Sequence, residues 1–160
     1  MRRRPLPVRE TTTKSWRNLC ENEWAVYAIV ASVGALTYSN SLSGEFVHDD
    51  IPAIVTNSDV TGANPVLRIF ENDFWGTPMS DPGSHKSYRP LTTLTFRLNF
   101  ALCGLSAWWW HACNIALHAA CCALVARAGA VVARLQRPFA ALAALLFAVH
   151  PVHTEAGYEQ

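Results

Sequence analysis

Three short clusters hold the residue types that do acid–base or anion-binding chemistry. The first is His48-Asp49-Asp50. Clustered like charges make each carboxylate more basic, and a carboxylate of such a pair can serve as general base toward a hydroxyl. A solvated acid pair in a loop is the plain alternative, and Asp-Asp alone does not choose. The second is Tyr88-Arg89-Pro90, preceded by His85 and Lys86. Arg89 offers a planar fork of N–H donors matched to phosphate; a lone arginine also reads as an interfacial anchor. The third is His150-Pro151-Val152-His153-Thr154-Glu155. Two histidines three apart with a carboxylate suit a metal ion or a bound phosphate, and equally an ordinary helix end.

The elements that must position these clusters are written in uncharged runs. Residues 24–43 carry no charge. Twenty residues at about 1.5 Å each match a hydrocarbon core about 30 Å thick. A signal peptide has a shorter apolar run of about 7–15 residues, so a first span is expected here. Residues 98–126 are also uncharged, longer than one straight span needs. Gly104 and Ser106 divide them into a helix ending near Cys103 and a second span over 107–126. Trp108, Trp109 and Trp110 open that span as an interfacial aromatic belt. A third span is expected over 138–154, where the apolar residues only just reach a crossing length. His111, Asn114 and His118 share one stripe of the second span, an arrangement read as interhelical hydrogen bonding.

Charge sets the orientation. Residues 1–23 carry six Lys/Arg and three Glu, residues 44–99 carry four Lys/Arg and seven Asp/Glu, and residues 127–137 carry three Arg and no acid. Basic segments stay cytoplasmic. The tail 1–23 and the loop 127–137 are therefore expected inside, and the loop 44–106 and the end 155–160 on the lumenal side. All three chemical clusters then emerge on one face of the membrane. Within the large loop, Asn64-Pro65 is expected to open a short amphipathic helix, with Val66, Leu67, Ile69, Phe70 and Phe74 on one side. Arg68, Glu71, Asn72 and Asp73 fall on the other. Residues 77–85 form a turn-rich loop. Pro90 opens a second helix, with Leu91, Leu94, Leu98 and Leu102 recurring every three or four residues.

The reading is thus an all-α membrane protein of three transmembrane helices and a large helical loop. A net charge of +1 argues against nucleic-acid binding, and 51% hydrophobic residues exclude disorder. Five cysteines at no regular spacing make neither a disulfide framework nor a paired metal motif. Cys103, Cys113, Cys121 and Cys122 read as small core residues.

Taken in order, FVHDD after the first span, SYRPLTTLTFRLN before the second and HPVHTEA at the end of the third resemble one family. It is the transmembrane and tetratricopeptide-repeat (TMTC-type) protein O-mannosyltransferases, of which this chain resembles the N-terminal part over residues 24–156. The resemblance implies the N-terminal portion of a GT-C-like bundle in the endoplasmic reticulum membrane. It implies mannose transfer from dolichyl phosphate mannose to Ser/Thr hydroxyls of secretory-pathway proteins, cadherins among them. Carried onto this chain, Asp49 is the expected catalytic base and Asp50 its orienting partner. Arg89, His150, His153 and Glu155 are expected to hold the donor phosphate, and a divalent metal at the histidines stays open. Such enzymes carry more spans and a long helical-repeat array. The family-like sequence here stops at Ala156, so a fragment is expected. Two other readings stand beside it: a non-catalytic membrane subunit or truncated regulatory isoform, and a metal-binding membrane module.

Overall fold

The computed structural model describes the backbone of residues 22–156 and the side chains of residues 22–153. The expected basic tail lies outside the described residues except for Asn22 and Glu23. In chain order the α-helices are α1 (Glu23–Thr37), α2 (Ser58–Thr61), α3 (Pro90–Cys103), α4 (Ala107–Val131) and α5 (Arg137–Ala148). A π-helical turn covers Ile51–Val55, and 3-10 turns cover Ser39–Ser43, Val66–Phe70 and Pro151–Ala156. The described residues contain no β-strand. They form two compact units, one of residues 22–39 and 115–153, the other of residues 40–114 and 154–156.

In the first unit α1 packs along α5. Asn22 caps α1, its side chain accepting the N–H groups of Trp24 and Ala25. The core is built from small residues: Val30, Cys122, Ala126, Ala144 and Ala148 are all within 1% of complete burial. Ala140, Ala144 and Ala148 recur every fourth residue, so they stack on one face of α5, and all three are buried. A Cβ on Gly34 would sit 2.9 Å from the Cys122 sulfur, and one on Gly129 would sit 3.2 Å from the Ala140 Cβ. Large aliphatics lie outside instead, among them Leu36, Leu124, Leu142 and Leu146. Small residues at the contact and leucines on the outer face are how helices pack in lipid.

Only α4, 25 residues long, is both long and apolar enough among the described helices to cross a membrane. Apolar helices α1 and α5 have 15 and 12 residues. Residues 24–43 stay largely helical, but the pitch tightens after Tyr38 into the turn Ser39–Ser43. The stretch expected as a span over 138–154 is divided. α5 stops at Ala148 after about 18 Å of rise, and a separate turn follows. Helix α4 continues past Arg127, where a loop was expected, because Ala128, Gly129, Ala130 and Val131 offer nothing to stop it. The reversal comes at Arg134, whose φ is 52°.

The second unit packs α2 against α3. Its apolar core joins Ala53, Ile54, Val60 and Trp110 to Phe46, Phe74, Trp75, Phe96 and Phe100. A polar scaffold lies beneath. The wholly buried Asp59 carboxylate accepts the amides of Asn64 and Asn72, both at 2.8 Å. Arg97 donates to the carbonyls of Asp59 and Asn64. Asn57 donates to the carbonyls of Ala53 and Phe74, and Gly76 (φ 81°) leaves room for it. Asp73 organises the loop after it, accepting Ser84 Oγ–H at 2.6 Å and the N–H groups of Trp75, Thr77 and His85.

The amphipathic stretch of the loop is shorter than its pattern suggests. Residues 66–70 form one 3-10 turn in which Ile69 alone is buried, while Val66, Leu67 and Phe70 are exposed. Asn72 and Asp73, expected on the side opposite the apolar residues, are buried because they hold the scaffold together. In α3 the stripe Leu91, Leu98 and Leu102 points outward, and Thr93, Phe96 and Phe100 face the core. Of the four cysteines expected in a core, Cys122 is buried and Cys121 exposed.

Candidate active site

The two aspartates of the first cluster are not equivalent. The chain leaves the turn Ser39–Ser43 through Gly44 and Phe46. Phe46 meets Trp110 edge-on at 6.0 Å, and a Cβ on Gly44 would sit 3.1 Å from His111 Nε2. His48 then adopts φ 38°, a left-handed conformation that a residue with a side chain adopts only at some cost. Its turn delivers Asp49 and Asp50 to the start of the π-helical turn Ile51–Val55. There the Thr56 N–H reaches back to the Ile51 carbonyl at 2.9 Å. Asp50 Oδ2 accepts the Val47 N–H at 3.2 Å, which closes the turn. Asp49 is exposed, and among the described residues its carboxylate has no hydrogen bond or ion pair. One acid is committed to the backbone and the other is exposed.

Arg89 stands just before α3. Its carbonyl receives the N–H and the hydroxyl of Thr93, and its guanidinium carbon lies 5.0 Å from the centre of the Phe74 ring. The ring steadies the guanidinium through its negative face without consuming its N–H donors. Arg89 is not paired with Asp49 or Asp50. Burial pushes the Asp73 carboxyl up, but its four hydrogen bonds outweigh this and hold it below the ordinary carboxylate range. Its hydrogen bonds commit that carboxylate to the loop scaffold.

His150 and His153 come together in the other unit, their rings 6.2 Å apart. His150 Nδ1 accepts the Val152 N–H at 3.2 Å, which in a neutral imidazole leaves Nε2 as the N–H donor. The His153 ring lies 4.5 Å from Phe147 and 4.9 Å from His118. Glu155 falls in the turn Pro151–Ala156, and its side chain lies outside the described residues. Among the described residues no three His, Cys, Asp or Glu side chains converge on a metal position. The metal-module reading therefore finds no ligand set there. A cavity of about 330 Å³ in the same unit lies by Glu23 and Tyr27 at the start of α1, away from the histidines.

The stripe expected on α4 divides three ways. His118 bonds across helices, its Nε2 lying 3.2 Å from the Ala148 carbonyl oxygen. His111 is buried with its Nε2 unpartnered, and Asn114 is exposed. Tyr38, which no spacing argument singled out, donates its hydroxyl to the His150 carbonyl at 2.7 Å. A tyrosine at the end of an apolar run was its only signal.

No family model and no solved structure matches the chain. Curated proteins do. Protein O-mannosyl-transferase TMTC1 of Mus musculus is 48% identical over 130 residues, 81% of this chain and 14% of the relative. Protein O-mannosyl-transferase TMTC2 of Mus musculus is 47% identical over 129 residues, 80% of this chain and 15% of the relative. Protein O-mannosyl-transferase Tmtc1 of Drosophila melanogaster is 45% identical over 141 residues, 86% of this chain and 16% of the relative. The chain is a homologue of the protein O-mannosyl-transferases. It spans about one seventh of the length of the transferases it matches. The matched share of this chain is far larger than any of the three chemical clusters, so the homology does not rest on them alone.

Proposed function

We propose that this chain is the base-bearing part of an enzyme that moves mannose from dolichyl phosphate mannose to Ser/Thr hydroxyls of secretory-pathway proteins. Homology to O-mannosyl-transferases over four fifths of the chain supports the reaction. The contrast between a tethered Asp50 and an open Asp49 supports the assignment of the base. In this reading the protein lies in the endoplasmic reticulum membrane with its N-terminus cytoplasmic. Residues 24–43, 107–126 and 138–154 cross the bilayer, and 44–106 form a lumenal loop. Further spans and a tetratricopeptide-repeat array complete the GT-C-like enzyme, and cadherins are among the acceptors. The leucine-covered outer face of the first unit supports immersion in lipid.

The chemistry needs one base. The acceptor oxygen attacks the anomeric carbon of mannose and its proton passes to the Asp49 carboxylate. The bond from that carbon to the phosphate oxygen breaks, and dolichyl phosphate leaves as a stable anion. No general acid is required, unlike glycoside hydrolysis, and a single displacement inverts the anomeric centre. In this reading Arg89 supplies N–H donors to the phosphate, and His150 and His153 are ligands of the same group, with Glu155 as an orienting partner.

The test uses microsomes expressing this chain in cells lacking other such transferases, supplied with dolichyl phosphate mannose and a Ser/Thr-rich cadherin segment. Transfer that disappears in Asp49→Asn supports the enzyme reading. Stable insertion without transfer favours the second reading, a non-catalytic membrane subunit or truncated regulatory isoform.

A further inference from the structure

We infer that Tyr38 and His118 are positioning residues that together hold the turn bearing His150 and His153. The inference rests on the reading of those histidines as ligands of the donor phosphate. Helix α5 ends at Ala148, and the last carbonyls of a helix have no partner inside it. His118, reaching from α4, takes one of them: its Nε2 lies 3.2 Å from the Ala148 oxygen. A carbonyl only accepts, so that nitrogen carries the hydrogen. The same imidazole lies nearly parallel to the Phe147 ring at 5.8 Å and 21°, and its centre is 4.9 Å from that of His153. Tyr38, from the end of α1, meets His118 edge-on at 4.9 Å and 89°. Its hydroxyl donates to the His150 carbonyl at 2.7 Å.

The two contacts do different things. Tyr38 fixes the backbone at His150, whose own Nδ1 is already occupied by Val152, and so sets where Nε2 points. His118 fixes the helix end and provides one wall of the His153 ring. A short turn that begins on the exposed residues Pro151 and Val152 would otherwise sample several conformations, and each histidine would present its donor to a phosphate only part of the time. Neither Tyr38 nor His118 needs to touch the phosphate for this.

The experiment uses the full chain in lipid nanodiscs, with dolichyl phosphate as the probe and isotope-labelled histidine for imidazole resonances. The resonances are assigned by His150→Ala and His153→Ala. Tyr38→Phe removes one hydroxyl and keeps the ring. It is expected to weaken dolichyl phosphate binding about fivefold, the worth of one hydrogen bond, and to shift the His150 imidazole signals. His118→Leu is expected to do the same and to move the His153 signals, while His118→Gln, which can still donate to Ala148, stays within about twofold of the parent. Unchanged His150 and His153 signals in both Tyr38→Phe and His118→Leu would overturn the positioning role, whatever the binding does. Parent-like binding in His150→Ala and His153→Ala would instead overturn the donor-phosphate reading, and the resonances would still decide the positioning role.

Discussion

Asp50 accepts the Val47 N–H at 3.2 Å and thereby holds its neighbour Asp49 at the open edge of a turn strained at His48. Sequence adjacency makes the two carboxylates look interchangeable, and backbone geometry separates them. The division of labour has consequences for stability as well as for catalysis.

Because the Asp49 carboxylate has no hydrogen bond or ion pair among the described residues, Asp49→Asn is expected to leave the thermal midpoint of the chain within experimental error. Asp50→Ala removes a hydrogen bond that closes the turn and is expected to cost about 1 kcal/mol. Thermal unfolding in detergent, followed by intrinsic tryptophan fluorescence, measures both. Equal losses would mean that the two acids share the structural role.

Asp73 gives the second unit a defined response to acid. Its folded-state pKa is depressed by Ser84 and three backbone N–H groups, below the unfolded value of about 3.9. The stabilisation is therefore fully present above about pH 4 to 5 and is lost as the pH falls through the lower folded value. Asp73→Asn is expected to be less stable than the parent at pH 7, with the gap narrowing below about pH 4. Melting curves across pH 2.5–7 test the sign; a gap that widens in acid would contradict it.

Helix packing in the first unit predicts an inversion of the usual substitution rule. Ala144 is completely buried, whereas Leu142, two residues away, is half exposed. Ala144→Leu overfills the contact and is expected to destabilise by about 1–3 kcal/mol, while Leu142→Ala stays within about 0.5 kcal/mol. In a bundle packed for water the leucine would be the costly residue. Unfolding midpoints of the two variants in lipid discs compare them directly.

Gly76 lies at φ 81°, and a Cβ there would meet Asn57 Oδ1 at 2.7 Å. Gly76→Ala is expected to cost about 1–3 kcal/mol and to raise hydrogen exchange at the Asp59 amide, which Asn57 holds. Unaltered exchange there would separate the glycine from the scaffold.

How much of this was legible in the sequence differs by element. The ends of α3 were, because Pro90 supplies a first helical position without an N–H and Gly104 a conformation with φ 59°. The start of α4 after Ser106 followed from the same boundary. The burial of α3 was not: a leucine stripe reads as a core face in water, but here phenylalanines fill the core and the leucines face out. The burial of Asn72 and Asp73 was not legible either, since polarity alone cannot distinguish a solvated acid from one bonded to Ser84 and to backbone N–H groups. The acidic pair was visible, but which acid is open depends on the Val47 contact, and no composition encodes that. Tyr38 and Ala148 join the histidine turn only through tertiary contacts.

The central claim is that Asp49 is the base for mannosyl transfer, and the most direct measurement removes that carboxylate in a complete enzyme. Residues 24–156 of this chain would replace the matching segment of Mus musculus TMTC1, and initial rates of mannose transfer from dolichyl phosphate mannose would be measured. Asp49→Asn is expected to lower the rate by about 10²–10⁴-fold, the worth of a general base. Asp81→Asn, at an exposed loop acid, is expected to leave it unchanged. A chimera that transfers mannose equally well with and without the Asp49 carboxylate would contradict the account.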